Sequence, residues 1–186
     1  MTKDYYMACL DLAGRRCVVV GGGSVGVEKV RGLLATGARV TVVAPEVAPQ
    51  LHELDVVWRP RRYRERDLAG AFLVVAATED RRVNERVHRD AEARGILCNV
   101  ADVPELCNFI LPAVHREGPI AIAVSTGGAS PALAKRIRSD IAARIGPEHA
   151  ELARRLQRLR PAAKRRFPSY EERRDYFESL VERALQ

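Results

Sequence analysis

One short transition constrains this chain more than any other feature. Residues 16–20 form an apolar, β-branched run, Gly21-Gly22-Gly23 follows, and Val25, Val27, Val30, Leu33 and Leu34 then recur at helical spacing. The order is strand, Gly-rich turn, helix. Gly21-x-Gly23-x-x-Gly26 matches the G-x-G-x-x-G fingerprint, whose glycines permit a tight turn, close backbone approach to a pyrophosphate, and tight packing of helix on strand. Free N–H groups at the helix start then face the anion. Gly-rich turns also arise for structural reasons alone. Here the motif lies between a strand and a helix and leads into a second strand, which favours nucleotide binding.

Gly37 ends the helix as a C′ glycine would, and residues 39–43, Arg-Val-Thr-Val-Val, supply a second strand with almost no polar alternation. Continuous hydrophobicity points to a parallel sheet covered on both faces. Further units follow at 56–58, at 72–76 with a helix over 80–94, and at 97–100. After about Pro112 the pattern changes. Residues 109–114 and 120–125 flank the polar stretch from His115 to Pro119, which suits a hairpin or crossover turn. Ser130 is a candidate N-cap with Pro131 at N1, and Leu133, Ile137, Ile141 and Ile145 then form an apolar stripe that Gly146-Pro147 stops. Helical segments over about 148–160 and 170–185 flank Pro161 and Pro168. The expected fold is α/β, a Rossmann-type doubly wound parallel sheet over 1–113. A small dimerisation region over 114–146 and a helical cap over 147–186 follow it.

Composition narrows the function. The longest apolar stretches are strand-sized, well short of the roughly 20 residues of a membrane helix. Residues 1–6 carry Lys3 and Asp4 with no apolar core or cleavage signature of a signal peptide. A cytoplasmic protein with no membrane partner is expected. Cysteines 9, 17, 98 and 107 show no zinc spacing and read as small buried hydrophobes, so no metal site is assigned. The net charge of +7 is uneven: residues 1–133 hold 17 basic and 16 acidic side chains, residues 134–186 hold 14 and 8. Such a bias fits an anionic partner or a solvated face. Arg residues spread over all helical faces, without a helix-turn-helix, argue against nucleic acid and against a nucleotide-sensing DNA regulator.

The acid that would hold ribose hydroxyls is displaced from the end of the second strand: Ala44 is followed by Pro45, and Glu46 is the nearest carboxylate. No Arg or Lys lies in 44–50 to receive a 2′-phosphate, which favours NAD. Several segments, taken in order, resemble the precorrin-2 dehydrogenase and sirohydrochlorin ferrochelatase family, the module also found at the front of siroheme synthases. They are Leu10-Asp11-Leu12, Gly21-Gly22-Gly23-x-Val25, Val40-Thr41-Val42-Val43-Ala44-Pro45, Ala76-Ala77-Thr78 with Asn84, Asn99-Val100-x-Asp102, Phe109-Ile110-x-Pro112, and Ser125-Thr126-Gly127-Gly128-x-Ser130-Pro131. Arg160 and 171–177 resemble its helical tail.

The resemblance implies a homodimer that oxidises precorrin-2, a polycarboxylate tetrapyrrole, with NAD. It implies that Gly21, Gly22, Gly23, Ser24, Val25, Gly26, Pro45, Glu46, Ala77 and Thr78 hold the cofactor, and that Asp102 is the functional aspartate accepting a proton. From position alone Asp102 also reads as a turn residue before Val103-Pro104. Ser125, Thr126, Gly127 and Gly128 would offer hydroxyl and N–H donors to substrate carboxylates, with Asn99 and His115 beside them; a plain Gly-rich connector and a solvated loop histidine are the competing readings. The family often has Ala and Arg where this chain has Gly26 and Glu28. The Gly is read as harmless, while Glu28 removes a positive charge one turn into the helix. An alternative activity is added insertion of Fe²⁺ into sirohydrochlorin, for which Asp102 and His115 are the only proton acceptors in view; that activity is expected to be weak or absent.

Overall fold

Each strand of the first half sends alternate residues to opposite faces, and in all but the edge strand at 56–60 both faces are buried. In the computed structural model, which describes residues 5–185, β1 (Arg16–Val20), β2 (Arg39–Ala44), β3 (Val56–Pro60), β4 (Leu73–Ala76) and β5 (Leu97–Val100) form one parallel sheet in the order β3-β2-β1-β4-β5. Cys17, Val19, Val42, Leu73 and Val75 pack on one side with Val27, Val30 and Leu33 of α1 (Ser24–Leu34). Val18, Val20, Val43, Val74, Ala76, Cys98 and Val100 pack on the other with Val87 and Ala91 of α2 (Arg81–Glu92). This two-sided burial explains the unbroken hydrophobic runs. The right-handed crossover rule accounts for the helices lying on both faces.

The helix ends follow local chemistry. Asp80 caps α2 by accepting from the N–H groups of Arg82 at 2.9 Å and Val83 at 3.3 Å. At the end of α1 the N–H of Gly37 donates to Leu34 and that of Ala38 to Leu33, the bond pair of a Schellman motif with Gly37 at C′. Asn108 finishes the β5 edge: its N–H donates to the Cys98 carbonyl at 3.0 Å and its Oδ1 accepts from the Cys98 N–H at 2.7 Å. An amide side chain thus stands in for a neighbouring strand.

The described residues fall into two compact units that part between Leu111 and Pro112. In the second, β6 (Ala113–Glu117) and β7 (Ile120–Val124) pair antiparallel, with α3 (Pro131–Ala142), α4 (Pro147–Arg166) and α5 (Tyr170–Leu185) following. The hairpin loop is only Gly118-Pro119, with Gly118 at φ +55°, the first-position glycine of a type II′ turn. His115 therefore belongs to a strand rather than a polar turn, a correction to the sequence reading. Pro161 is a second correction, because it lies inside α4 instead of ending it. Its ring removes one hydrogen bond at a cost of about 3 kcal/mol, offset by continued packing that buries Ala163 two residues on. Cys9 is a third, being exposed rather than buried. Residues 1–4, read above as free of a leader signature, lie outside the described residues. No described helix is long and apolar enough to cross a membrane.

One polar cluster holds the first unit's outer edge. Asp67, fully buried, accepts from Arg61 Nη2 at 2.6 Å and Nη1 at 2.8 Å, from Arg59 Nη1 at 2.7 Å and from the Arg64 N–H at 2.9 Å. Burial alone would raise its pKa, but these donors, Arg61 first, hold the carboxyl well below the usual carboxylate range. A depressed folded-state pKa contributes stability above the unfolded value of about 3.9 and loses it as pH falls through that value toward the folded one. Asp67→Asn is therefore expected to cost about 3 kcal/mol at pH 7. Its melting temperature should fall less steeply below pH 4 than that of the wild type, as thermal melts across pH 2–7 will read.

Candidate functional site

The strand order reverses between β1 and β4: the chain runs outward from β1 through β2 to β3, then returns to the other side of β1. Such a switch point opens a crevice at the carboxyl ends of the strands, where open α/β sheets bind ligands. Gly21, leaving β1, and Ala77, leaving β4, face each other there. Gly21 has φ +119°, and a Cβ on it would overlap the Ala77 carbonyl oxygen. Its N–H donates to Val43 at 3.0 Å while that of Ala77 donates to Val20 at 2.7 Å, so three strand ends are drawn together.

Gly23, the N-cap of α1, is exposed, and a Cβ there would meet nothing within 4 Å. The open side of this glycine is the side from which a ligand would approach the backbone. The cap makes no side-chain hydrogen bond, and the first turn of α1 holds no acidic residue. The first bond closing the helix runs from the Val27 N–H to Gly23, which leaves the N–H groups of Ser24, Val25 and Gly26 free for an anion. An uncapped, uncharged helix start beside an open glycine fits a dinucleotide's pyrophosphate. Gly26, read as harmless where the family often has Ala, is favoured here: a Cβ there would lie 2.5 Å from the Gly21 carbonyl oxygen. The backbone of α1 rests directly on the turn.

Pro45 and Glu46 are exposed just past β2, and the loop they begin is pinned to the cradle by the Ala48 N–H, which donates to Gly22 at 2.8 Å. Trp58 Nε1 donates to the Ala44 carbonyl at 3.0 Å and fixes the end of β2. Glu28 meets only its neighbour Lys29, 2.9 Å away and with Glu28 well exposed, a pairing of little energetic weight. After β4, the Thr78 hydroxyl donates to Asn84 Oδ1 at 2.8 Å, and Asn84 Nδ2 returns a bond to the Thr78 carbonyl at 2.9 Å. Asn84, buried on α2, thereby sets the course of the Ala77-Thr78 loop. Its motif membership was visible in the sequence; its reciprocal bonding was not.

Asp102 follows β5 at the same sheet edge, and the Ala101 N–H donates to Ala76 at 2.9 Å. Asp102 is exposed, has φ +60°, and is alone among the described non-glycine residues in taking a positive φ. Its carboxylate accepts no hydrogen bond from any described residue, so it caps nothing. Asn99 is differently placed, buried with Nδ2 donating to the Phe109 carbonyl at 3.1 Å. Burial raises the Cys17 thiol to about 11 and the Cys98 thiol to about 12, so neither is a nucleophile near neutrality.

In the second unit, Ser125 Oγ accepts from the Gly127 N–H at 3.1 Å, and Thr126 Oγ1 accepts from the Ser130 N–H at 3.0 Å while donating to the Ser130 carbonyl at 3.1 Å. The Thr126 hydroxyl is thus committed to its own turn. Gly127 and Gly128 at φ +62° and +91° shape that turn ahead of α3. His115 Nε2 donates to the Ile145 carbonyl at 2.9 Å.

Comparison with known proteins adds an independent line. Residues 8–113 match a family described as putative NAD(P)-binding, 117–144 match the sirohaem biosynthesis protein central region, and 148–186 match the sirohaem synthase dimerisation region. The solved structure of SirC, precorrin-2 dehydrogenase, superposes with a TM-score of 0.79 at 31% identity, over 95% of this chain and 89% of that one. The chain belongs to the precorrin-2 dehydrogenase family. The siroheme synthase of Chromobacterium violaceum is 42% identical over 98% of this chain, and that of Nitrosococcus oceani 37% over the same share. The chain spans 40% of the length of each of these two relatives.

For this member of the precorrin-2 dehydrogenase family, two glycines separate fold from binding. Gly23→Val should leave the melting temperature near that of the wild type and abolish NAD binding, since its branched side chain fills space that the pyrophosphate needs. Gly26→Ala should destabilise by roughly 1–3 kcal/mol through overpacking against Gly21. Isothermal titration with NAD and thermal melts on both variants will read the difference, and unaltered NAD affinity in Gly23→Val would mean that the glycine is structural only.

Proposed function

We propose that this chain oxidises precorrin-2 to sirohydrochlorin with NAD. The carrying observation is Asp102, an exposed and unpartnered carboxylate at the same sheet edge as the dinucleotide cradle, in a chain matching a precorrin-2 dehydrogenase along nearly its whole length. When bound, NAD supplies the hydride acceptor. The N–H groups of Ser24, Val25 and Gly26 would hold its pyrophosphate, Gly21, Gly22 and Gly23 would let it approach, Ala77 and Thr78 would wall the crevice, and Glu46 behind Pro45 would meet ribose hydroxyls. The absence of Arg and Lys over 44–50 supports NAD over NADP.

Asp102 accepts the proton that the partly reduced macrocycle loses, with no competing hydrogen bond to weaken it as a base. Ser125, Gly127 and Gly128 would contact substrate carboxylates, while Asn99 and Thr126 would act by bracing the loops that do. The basic excess of 134–186 attracts a polyanion. His115 Nε2 is committed to the Ile145 carbonyl, so any proton it accepts would go to Nδ1. Unpaired thiols at Cys9, Cys17 and Cys98 fit a reducing compartment, so the reaction is assigned to the cytoplasm.

Asp102→Asn is expected to keep its fold, because asparagine tolerates positive φ at least as well as aspartate, and to lower turnover by about 100-fold or more. Following the macrocycle spectrum with precorrin-2 and NAD, with and without Fe²⁺, is the measurement; near-normal turnover in the variant defeats the assignment.

We also propose a homodimer through the stripe of α3. Leu133 and Ile137 are 52% and 37% exposed, and Val114 of β6 is exposed as well, an apolar surface of the kind that isologous contacts cover. Leu133→Glu combined with Ile137→Glu should sediment as a monomer where the wild type sediments as a dimer.

A further inference from the structure

Asp102 is held in an unfavourable conformation by a turn whose own closure is weak. The Val103 N–H reaches the Val100 carbonyl only at 3.3 Å, yet an aspartate between them stays at φ +60°, where a side chain costs free energy that glycine does not. A second restraint is required, and a buried thiol lies where it is needed. Cys107 is 4% exposed. Its Sγ accepts from the Val100 N–H at 3.2 Å and from Asn99 Nδ2 at 3.5 Å, and it stands 3.3 Å from the carbonyl oxygens of both Val100 and Val103, either of which can accept its S–H. One atom thus meets both ends of the turn that carries Asp102.

Cys107 is itself anchored. Its N–H donates to Pro104 at 3.1 Å, and the next residue, Asn108, exchanges two bonds with Cys98 of β5 and donates from Nδ2 to Glu92 at 2.8 Å and to the Ile96 carbonyl at 3.2 Å. The restraint therefore runs from a sheet edge, through the thiol, to the turn. Sulfur suits this place because its long bonds and diffuse lone pairs allow several weak contacts at more than 3 Å.

We propose that Cys107 is a positioning residue for the oxidation: its thiol ties Val100 to Val103 and so fixes the direction of the Asp102 carboxylate. The proposal rests on Asp102 being the proton acceptor, and it assigns Cys107 no contact with substrate or cofactor. A misdirected carboxylate lowers kcat, since small displacements of a reacting group are costly, while the dinucleotide cradle on the far side of β4 is untouched.

The test is a double-mutant cycle on the whole chain with precorrin-2 and NAD. Cys107→Val keeps apolar volume and removes the hydrogen bonding; Cys107→Ser keeps a donor and an acceptor. Cys107→Val is expected to lower kcat about tenfold with NAD affinity nearly unchanged, and Cys107→Ser to stay within about threefold of the wild type. In an Asp102→Asn background, Cys107→Val should produce no further fall, because the group it positions is gone. If Cys107→Val gives no folded protein, Cys107→Ala takes its place in the cycle. A normal kcat in the apolar variant, an equal fall in Cys107→Ser, or a tenfold fall that persists beside Asp102→Asn would each overturn the positioning role while leaving Asp102 standing. Normal turnover of Asp102→Asn alone would instead overturn the reading of Asp102 and the proposal with it.

Discussion

The approach of the Gly21 backbone to the Ala77 carbonyl is the contact on which the rest of the first unit depends. It occurs where the sheet reverses direction, and it works only because position 21 has no side chain and accepts φ +119°. The glycine N–H draws in β2 through Val43, and the Ala77 N–H draws β4 to β1 through Val20. Gly26 then lets α1 descend onto the same turn, which aims the free N–H groups of its first residues at the crevice. Binding geometry here is a by-product of packing: the close contacts that let two strand ends and a helix meet also leave Gly23 bare on the open side.

Asp102 obeys a different logic. A glycine at φ +60° would be more comfortable, and a capping aspartate would make hydrogen bonds; this residue does neither. The proposed role of Asp102 as a proton acceptor would account for strain that nothing local compensates. The surrounding bonds, from the Ala101 N–H to Ala76 and from Asn99 to Phe109, hold the segment from both sides. A base that must be directed at a ligand gains from such a support, because its orientation is set before the ligand arrives.

How much of this the sequence disclosed depends on the range of the interaction. The strands of the first unit, the cradle and the N-cap Ser130 were legible because periodicity and capping are local. Pro161 was misread for the same reason: the local rule ends a helix at proline, and only packing beyond the helix overrides it. His115 was misplaced because a two-residue hairpin loop was hidden inside a five-residue polar stretch. The tolerance of position 26 for alanine depends on how deeply α1 sits, which motif spacing does not encode. Asp67 carries no local signal, because Arg59 and Arg61 meet its carboxylate only once the fold turns them toward it.

The two units also differ in what they bury. The first fills both faces of its sheet except at the edge strand β3, whereas among the described residues the second buries only Ala134, Ala150 and Ala163 and leaves Leu133 and Ile137 in contact with solvent. Three alanines contribute little transfer free energy, since burial is worth about 25 cal/mol per Å² and an alanine side chain is one methyl group. A two-stranded hairpin is marginal by itself and needs a further surface against its apolar face. The second unit therefore leaves apolar surface that the proposed dimer would cover. On that reading its stability depends on chain concentration, while the dinucleotide unit carries a complete core of its own.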